Sequence, residues 1–377
     1  MSCICDFLFR LPLGSKFIVL LSTTSSLLRV TLTSLSPMTG CIQGVRENGT
    51  IATFNCCDVV SVFVGNFPSP ICTNYIYVGN FGDNTVSVIN GTTNEVIAVI
   101  TVQEGPFNVK VQPRGQYVYI SNFTSNTVSI INTRTLMVEE TFVVDSPTAV
   151  VFSPDGLLAY ISNGNSGTVT VIDTTTFQNV ATIPVGSGVN SQPTALAITP
   201  SGDKILVTNQ ADGTVSVIDP ATNTETTTIT VGNIPQQVAI TPNGAKAYVA
   251  NNGDGTVSVI DVATNTVTST ISIGITSAPF GVTISPDGSL AYVVNESDNS
   301  VTIISTATDT IIGTITGGFD VPVEMAITPD GKLGYVTNSN GGTVSVVDLV
   351  SNTFIGNIPV GNTPFGIDLL TICTEPL

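Results

Sequence analysis

The chain contains no histidine and no tryptophan, and only 10% of its 377 residues are charged. Without histidine it lacks the commonest general base near neutral pH and the commonest side-chain metal ligand. Without tryptophan it lacks the residue most typical of a sugar-stacking platform or an interface anchor. Basic residues are also scarce, with ten Lys and Arg against 27 Asp and Glu and a net charge of −17. Nucleic-acid binding rests on neutralising phosphates, so no nucleic-acid partner is expected. No apolar run is long enough to cross a bilayer, so no transmembrane segment is expected. No catalytic residue, metal site or cofactor is assigned; a paired-carboxylate mechanism would fall to Glu104 with Glu324 or to Asp145 with Asp320.

The charge is unevenly placed. Residues 1–70 carry four basic and three acidic residues, and the remainder carries six and 24. That step marks a boundary between a small N-terminal β module, residues 1–66, and a larger domain, residues 67–377.

The larger domain is a repeat of about 43 residues. It reads most cleanly from Pro235 to Gly274, where four short alternating apolar runs are separated by turn signals. The second run (strand b) ends in Asn seven times, at Asn80, Asn122, Asn163, Asn209, Asn251, Asn295 and Asn338. The third (strand c, Thr-Val-Ser-Val-Ile-Asp) also recurs seven times, starting at Thr85, Thr127, Thr168, Thr214, Thr256, Ser300 and Thr343. A proline opens strand a seven times, from Pro106 to Pro364. The Pro-x-Gly turn between strands a and b occurs only six times, from Pro113 to Pro329. The missing turn lies where a circular array is cut. The pattern predicts an all-β, seven-bladed propeller of four-stranded antiparallel blades. Its ring is closed by a C-terminal strand, Gly366–Leu370, pairing beside the strand that begins at Tyr75. An open β-solenoid would need no split unit. Ile71-Cys72-Thr73 is a second claimant to the closing position.

Tyr77-Val78-Gly79-Asn80, Tyr248-Val249-Ala250-Asn251 and Tyr335-Val336-Thr337-Asn338 resemble the signature of YVTN-type β-propeller repeat proteins. These are similar to surface-layer propellers and to secreted bacterial propellers. Blade four departs from the pattern with Leu206-Val207-Thr208-Asn209. The resemblance implies a propeller and an extracytoplasmic setting. It says little about ligand, because one fold hosts many functions.

The stacked Asn of strand b and Asp of strand c read as turn-capping residues, and the Thr and Ser of strand c as residues on a solvated face. The loops Asn252-Gly253-Asp254-Gly255 and Gln210-Ala211-Asp212-Gly213 loosely resemble calcium loops but lack the terminal Glu. Local function is expected where loops enter strand a around one mouth of the central channel. The candidates there are Phe107, Phe280 and Phe365 with Glu104, Asp145, Asp320 and Glu324, a set suited to a cationic or amphipathic ligand. The bland alternative is that the phenylalanines only cap the core.

The cysteines avoid the repeats. Cys3, Cys5, Cys41, Cys56 and Cys57 lie in the N-terminal module, while Cys72 and Cys373 flank the seam. A Cys72–Cys373 disulfide would staple the ring in an oxidising environment. The N-terminal module itself reads as short strands at Asp6–Leu11, Lys16–Leu21, Leu27–Thr33, Cys41–Val45, Thr50–Phe54 and Val59–Val64. A barrel-like module fits better than a secretion signal or a lipoprotein cleavage box at Met38–Cys41. The expectation is a non-catalytic scaffold or adhesion module, extracellular or at the cell surface. Its partner would be a protein or a glycan, with self-assembly through the N-terminal module. The alternative is a lactonase-like hydrolase with an acidic site at the channel mouth.

Overall fold

A computed structural model describes residues 71–374 continuously, together with five strands between residues 16 and 64. The early strands are β1 (Lys16–Leu21), β2 (Leu27–Ser36), β3 (Cys41–Arg46), β4 (Ile51–Asn55) and β5 (Val59–Val64). They form one antiparallel sheet in the order β4-β3-β2-β1-β5, with β4 and β5 at its edges. The proposed strand Asp6–Leu11, the residues Cys3, Cys5, Cys56 and Cys57, and the stretch Met38–Gly40 lie outside the described residues.

Cys72–Cys373 is a compact unit of its own. It is a seven-bladed propeller in which every blade is a four-stranded sheet. Six blades take strands a to d from consecutive sequence, as in Pro235–Ile240, Lys246–Asn251, Thr256–Asp261 and Thr266–Ser272. Blade 1 is composite. Its strand a is Pro364–Thr374, followed across the sheet by Ile71–Asn80, Thr85–Asn90 and Glu95–Thr101. The C-terminal strand therefore closes the ring, and Ile71-Cys72-Thr73 is the start of a lengthened strand b. The two lengthened ends place Cys72 and Cys373 with Cα atoms 3.9 Å apart, joined by a disulfide.

The core lies between blades. One cluster combines Tyr77, Val86, Val88 and Ile100 of blade 1 with Val109, Val118 and Ile120 of blade 2. Five further blades bury the Tyr of strand b, at Tyr119, Tyr160, Tyr248, Tyr292 and Tyr335. In blade 4 Leu206 fills that position and is also fully buried.

The repeated Asn works differently from the sequence expectation. In all seven blades its Nδ2 donates across to strand c, as Asn251 does to Thr256 Oγ1 at 3.0 Å and Ser258 Oγ at 2.9 Å. The strand-c Ser is thus buried, with Ser258 at 1% exposure, and does not lie on a solvated face. A short polar residue is needed there because an Asn amide in an apolar layer must find partners. The Asp of strand c does cap its turn. Asp173 accepts from the main-chain N–H groups of Thr175 and Thr176. Its carboxyl is held below the usual range, first by the Thr175 hydroxyl and then by those N–H groups. The calcium-like loops have another use. Asp254 accepts from the main chain of Asn233, and Asp212 from that of Ser187, so each latches the preceding inter-blade loop.

One backbone feature sets the mouth. The residue before each strand-a proline has positive φ in all seven blades, including the β-branched Ile234, Val321 and Thr363 at 52°, 53° and 51°. The reversal turns its carbonyl toward the residue after the strand-b Asn. Asn252 N–H donates to Ile234 O at 3.0 Å, and Phe81 N–H to Thr363 O at 2.9 Å. For a β-branched residue this conformation costs on the order of 1–3 kcal/mol. We predict that Ile234→Asn, which tolerates this region better, keeps or raises stability by up to about 1 kcal/mol despite losing an apolar side chain. Urea unfolding checks this, and a loss above about 1 kcal/mol would show that Ile234 packing outweighs the strain.

Candidate functional site

The seven a strands line the central channel, and alternation makes their third and fifth residues the inner wall. At the third position stand Asn108, Gln237 and Glu324, with Gly281 and Gly366 between them. The glycines are required. A Cβ on Gly281 would lie 2.5 Å from Val323 O, and one on Gly366 2.7 Å from Asn108 Cα. With Gly281 bare, Gln237 of blade 5 reaches past blade 6, donating its Nε2 to Glu324 Oε1 of blade 7. Its own Oε1 accepts from Val282 N–H at 2.7 Å.

Glu324 is therefore in the channel wall. Its Oε2 accepts from Ile367 N–H on the closing strand at 3.1 Å. Desolvation dominates its titration and pushes its pKa up to about 7, against the opposing pull of the Ile367 N–H and Lys110. The other side of the closing strand is held by charge as well. Lys110 Nζ lies 3.1 Å from Asp368 Oδ2, and that oxygen also accepts from Val111 N–H at 2.9 Å. Asp368 raises the Lys110 pKa further above its ordinary value. These groups line a channel cavity of 560 Å³ whose wall also includes the a–b turns at Pro113, Pro242 and Pro286.

The opposite face, where the a strands begin, is aromatic. Phe107 and Phe365 lie 4.3 Å apart by ring centroids, and Phe280 meets Phe365 edge-on at 5.4 Å. Phe123 and Phe81 extend the cluster at 6.0 and 6.5 Å from Phe107. All five are half-buried. They come from blades 1, 2 and 6, and four of them wall a cavity of 380 Å³. Its remaining lining is amide and hydroxyl, chiefly Asn165, Gln192, Gln210, Gln236 and Thr194.

The structure separates the residues that the sequence grouped. Phe107, Phe280 and Phe365 come together, but Glu324 lies in the channel and not in the mouth cavity. Glu104 and Asp145 are exposed on their loops and do not line either cavity. Asp320 is tied to its own blade, with both carboxylate oxygens 3.1 Å from Asn340 Nδ2. A site of mixed Phe and carboxylate for a cation does not form. Phe81, Phe123, Gln210 and Gln236 were missed. The first two follow the repeated Asn and carried the signal in their position, directly after strand b. Among the described residues, no group of three or more His, Cys, Asp or Glu could hold a metal ion. Among them, too, no helix is long and apolar enough to cross a membrane.

Residues 180–291 match the model of the YNCE-like beta-propeller family, and the YVTN-type resemblance of the repeats is consistent with that match. No curated protein matches the chain. Among solved structures, Kuenenia stuttgartiensis hydrazine synthase is 20% identical, with a TM-score of 0.65 over 75% of this chain and 96% of that one. A functionally unknown protein from Desulfotomaculum acetoxidans DSM 771 is 19% identical, with a TM-score of 0.65 over 81% and 100%. Dihydro-heme d1 dehydrogenase NirN in complex with DHE is 16% identical, with a TM-score of 0.58 over 78% and 74%. At these identities the likeness is one of fold, and 1522 solved chains share it, so it does not select a function.

Proposed function

We propose that this propeller is a non-catalytic binding module or scaffold working outside the cytoplasm, with the phenylalanine-walled mouth as its binding face. The observation that carries the reading is the mouth itself. It offers a half-buried aromatic wall and neutral hydrogen-bonding groups, with no titratable side chain in its lining to perform chemistry. The setting is supported by the seam disulfide, since such bonds persist in oxidising compartments. The acidic, Lys-poor surface suits a soluble or array-forming role with protein or glycan partners.

Non-reducing and reducing mass spectrometry of thiol-blocked protein from separated cell fractions tests the setting. The expected result is an oxidised Cys72–Cys373 pair in a surface or secreted fraction. Free thiols at both positions in a cytosolic fraction would sink it.

A lactonase-like hydrolase is the second reading, and one observation favours it: Glu324, pushed to about 7, could exchange a proton at neutral pH. It ranks second because both carboxylate oxygens already accept bonds from Gln237 and Ile367. We expect no turnover of short-chain lactones by the wild type. Turnover abolished by Glu324→Gln would reverse the order of the two readings.

A further inference from the structure

We propose that the mouth cavity is a subsite for one neutral sugar unit of a glycan. This rests on the reading of that face as the binding face. The cavity presents two unlike halves. One is the phenylalanine wall, able to cover the C–H face of a pyranose ring. The other is a set of primary amides with unused capacity. Gln236 is only 7% exposed, lines the cavity, and its side-chain amide makes no hydrogen bond among the described residues. The amide has no protein partner among the described residues and its polar atoms still face the open cavity, so both its donor and its acceptor are available to a molecule that enters from outside. The amides of Gln192 and Gln210 on the same wall are likewise unbonded within the described chain, and the Asn165 carbonyl oxygen stands open beside them.

Charge narrows the ligand. No acidic or basic side chain lines the cavity, so an ionic ligand would be desolvated there without a counter-charge. Glu104 and Asp145, exposed on the loops entering the same face, repel anions further. A neutral ligand rich in paired donors and acceptors remains. Each amide both donates and accepts, as does each sugar hydroxyl, so amides and vicinal hydroxyls can satisfy one another. A cavity of 380 Å³ is within the range of small-ligand sites and admits a sugar unit, not an extended face.

The test uses the full chain with three probes, the neutral hexasaccharides of glucose, mannose and N-acetylglucosamine, by ligand-observed NMR and calorimetry. At least one is expected to bind at about 10 mM or below. Gln236→Leu, Gln210→Ala and Phe365→Ala should each weaken it about tenfold or more, and Lys332→Ala on the far face should not. Gln210 is half-buried, so its variant guards against a folding defect in the other two. Binding that survives Gln236→Leu and Gln210→Ala, or no binding by any hexasaccharide, would overturn the sugar assignment. If an uncharged Pro/Gly/Ser peptide library then binds and Phe365→Ala abolishes it, the sugar assignment falls while the binding-module reading stands. If neither probe class binds, both fall.

Discussion

Replacing Cys373 with serine, or reducing the native protein, is expected to lower its unfolding free energy by about 4–5 kcal/mol. The pair spans 301 residues of sequence, so the cross-link restricts almost the whole unfolded propeller. The chain-entropy relation gives roughly 5–6 kcal/mol for a loop of that length, and residual structure in the unfolded chain brings the expected loss down to about 4–5 kcal/mol. Both cysteines are exposed, so little packing is lost with the sulfur and reductant has access. The effect should be local before it is global. Hydrogen exchange should accelerate first along Pro364–Thr374 and the start of Ile71–Asn80, where Thr371 Oγ1 donates to Asn74 Oδ1 at 2.7 Å. Urea midpoints with and without reductant decide it. Coincident curves would mean that the strand pairing and the Glu324 and Asp368 clamps hold the ring without the sulfur bridge.

The second large effect is on pH. Folded Glu324 has a pKa near 7, against an ordinary value of 4.5. The folded state thus holds this proton more tightly than the unfolded chain does. The stability from that preference is complete below about pH 4.5 and is lost as the pH rises to about 7, with an amplitude of about 3 kcal/mol. Lys110, also raised, gives stability that is lost only above its ordinary value of 10.5, outside this window. The turn-capping Asp261 and Asp348 are shifted down by their hydrogen bonds, so their contributions disappear only as the pH falls below the ordinary carboxylate range. Stability should therefore peak near pH 4–5 and decline toward pH 8. Urea unfolding across that range is the measurement. The decline should be much shallower in Glu324→Gln whatever its absolute stability, leaving only the part due to Glu296, whose pKa is also raised by burial. An equal slope in both proteins would assign the titration elsewhere.

The ring was legible because each blade repeats the same chemistry at the same spacing. Seven Asn, seven prolines and six Pro-x-Gly turns determine both the blade count and the location of the split blade. The reason for the Asn was not legible. Its partners, the Thr and Ser of strand c, sit five and seven residues on, and only the pairing register brings them under its amide. The candidate site was half legible. Phe107, Phe280 and Phe365 were visible as departures at one repeat position. Glu324 was also visible, but its neighbour at that position, Val323, faces differently, and one residue along a strand changes which surface is reached. Gln237 escaped notice because its partner Glu324 is two blades away, a separation that no local pattern encodes.

The composite first blade gives the molecule a fixed order of assembly. Strands Ile71–Asn80, Thr85–Asn90 and Glu95–Thr101 are synthesised long before Pro364–Thr374, the neighbour that their sheet requires. At 5–20 residues per second, roughly 15–60 s separate the two on the ribosome. Throughout that interval the nascent propeller is an arc with one blade a strand short. The ring cannot close until Pro364–Thr374 is available to pair, so closure of the propeller waits on that strand.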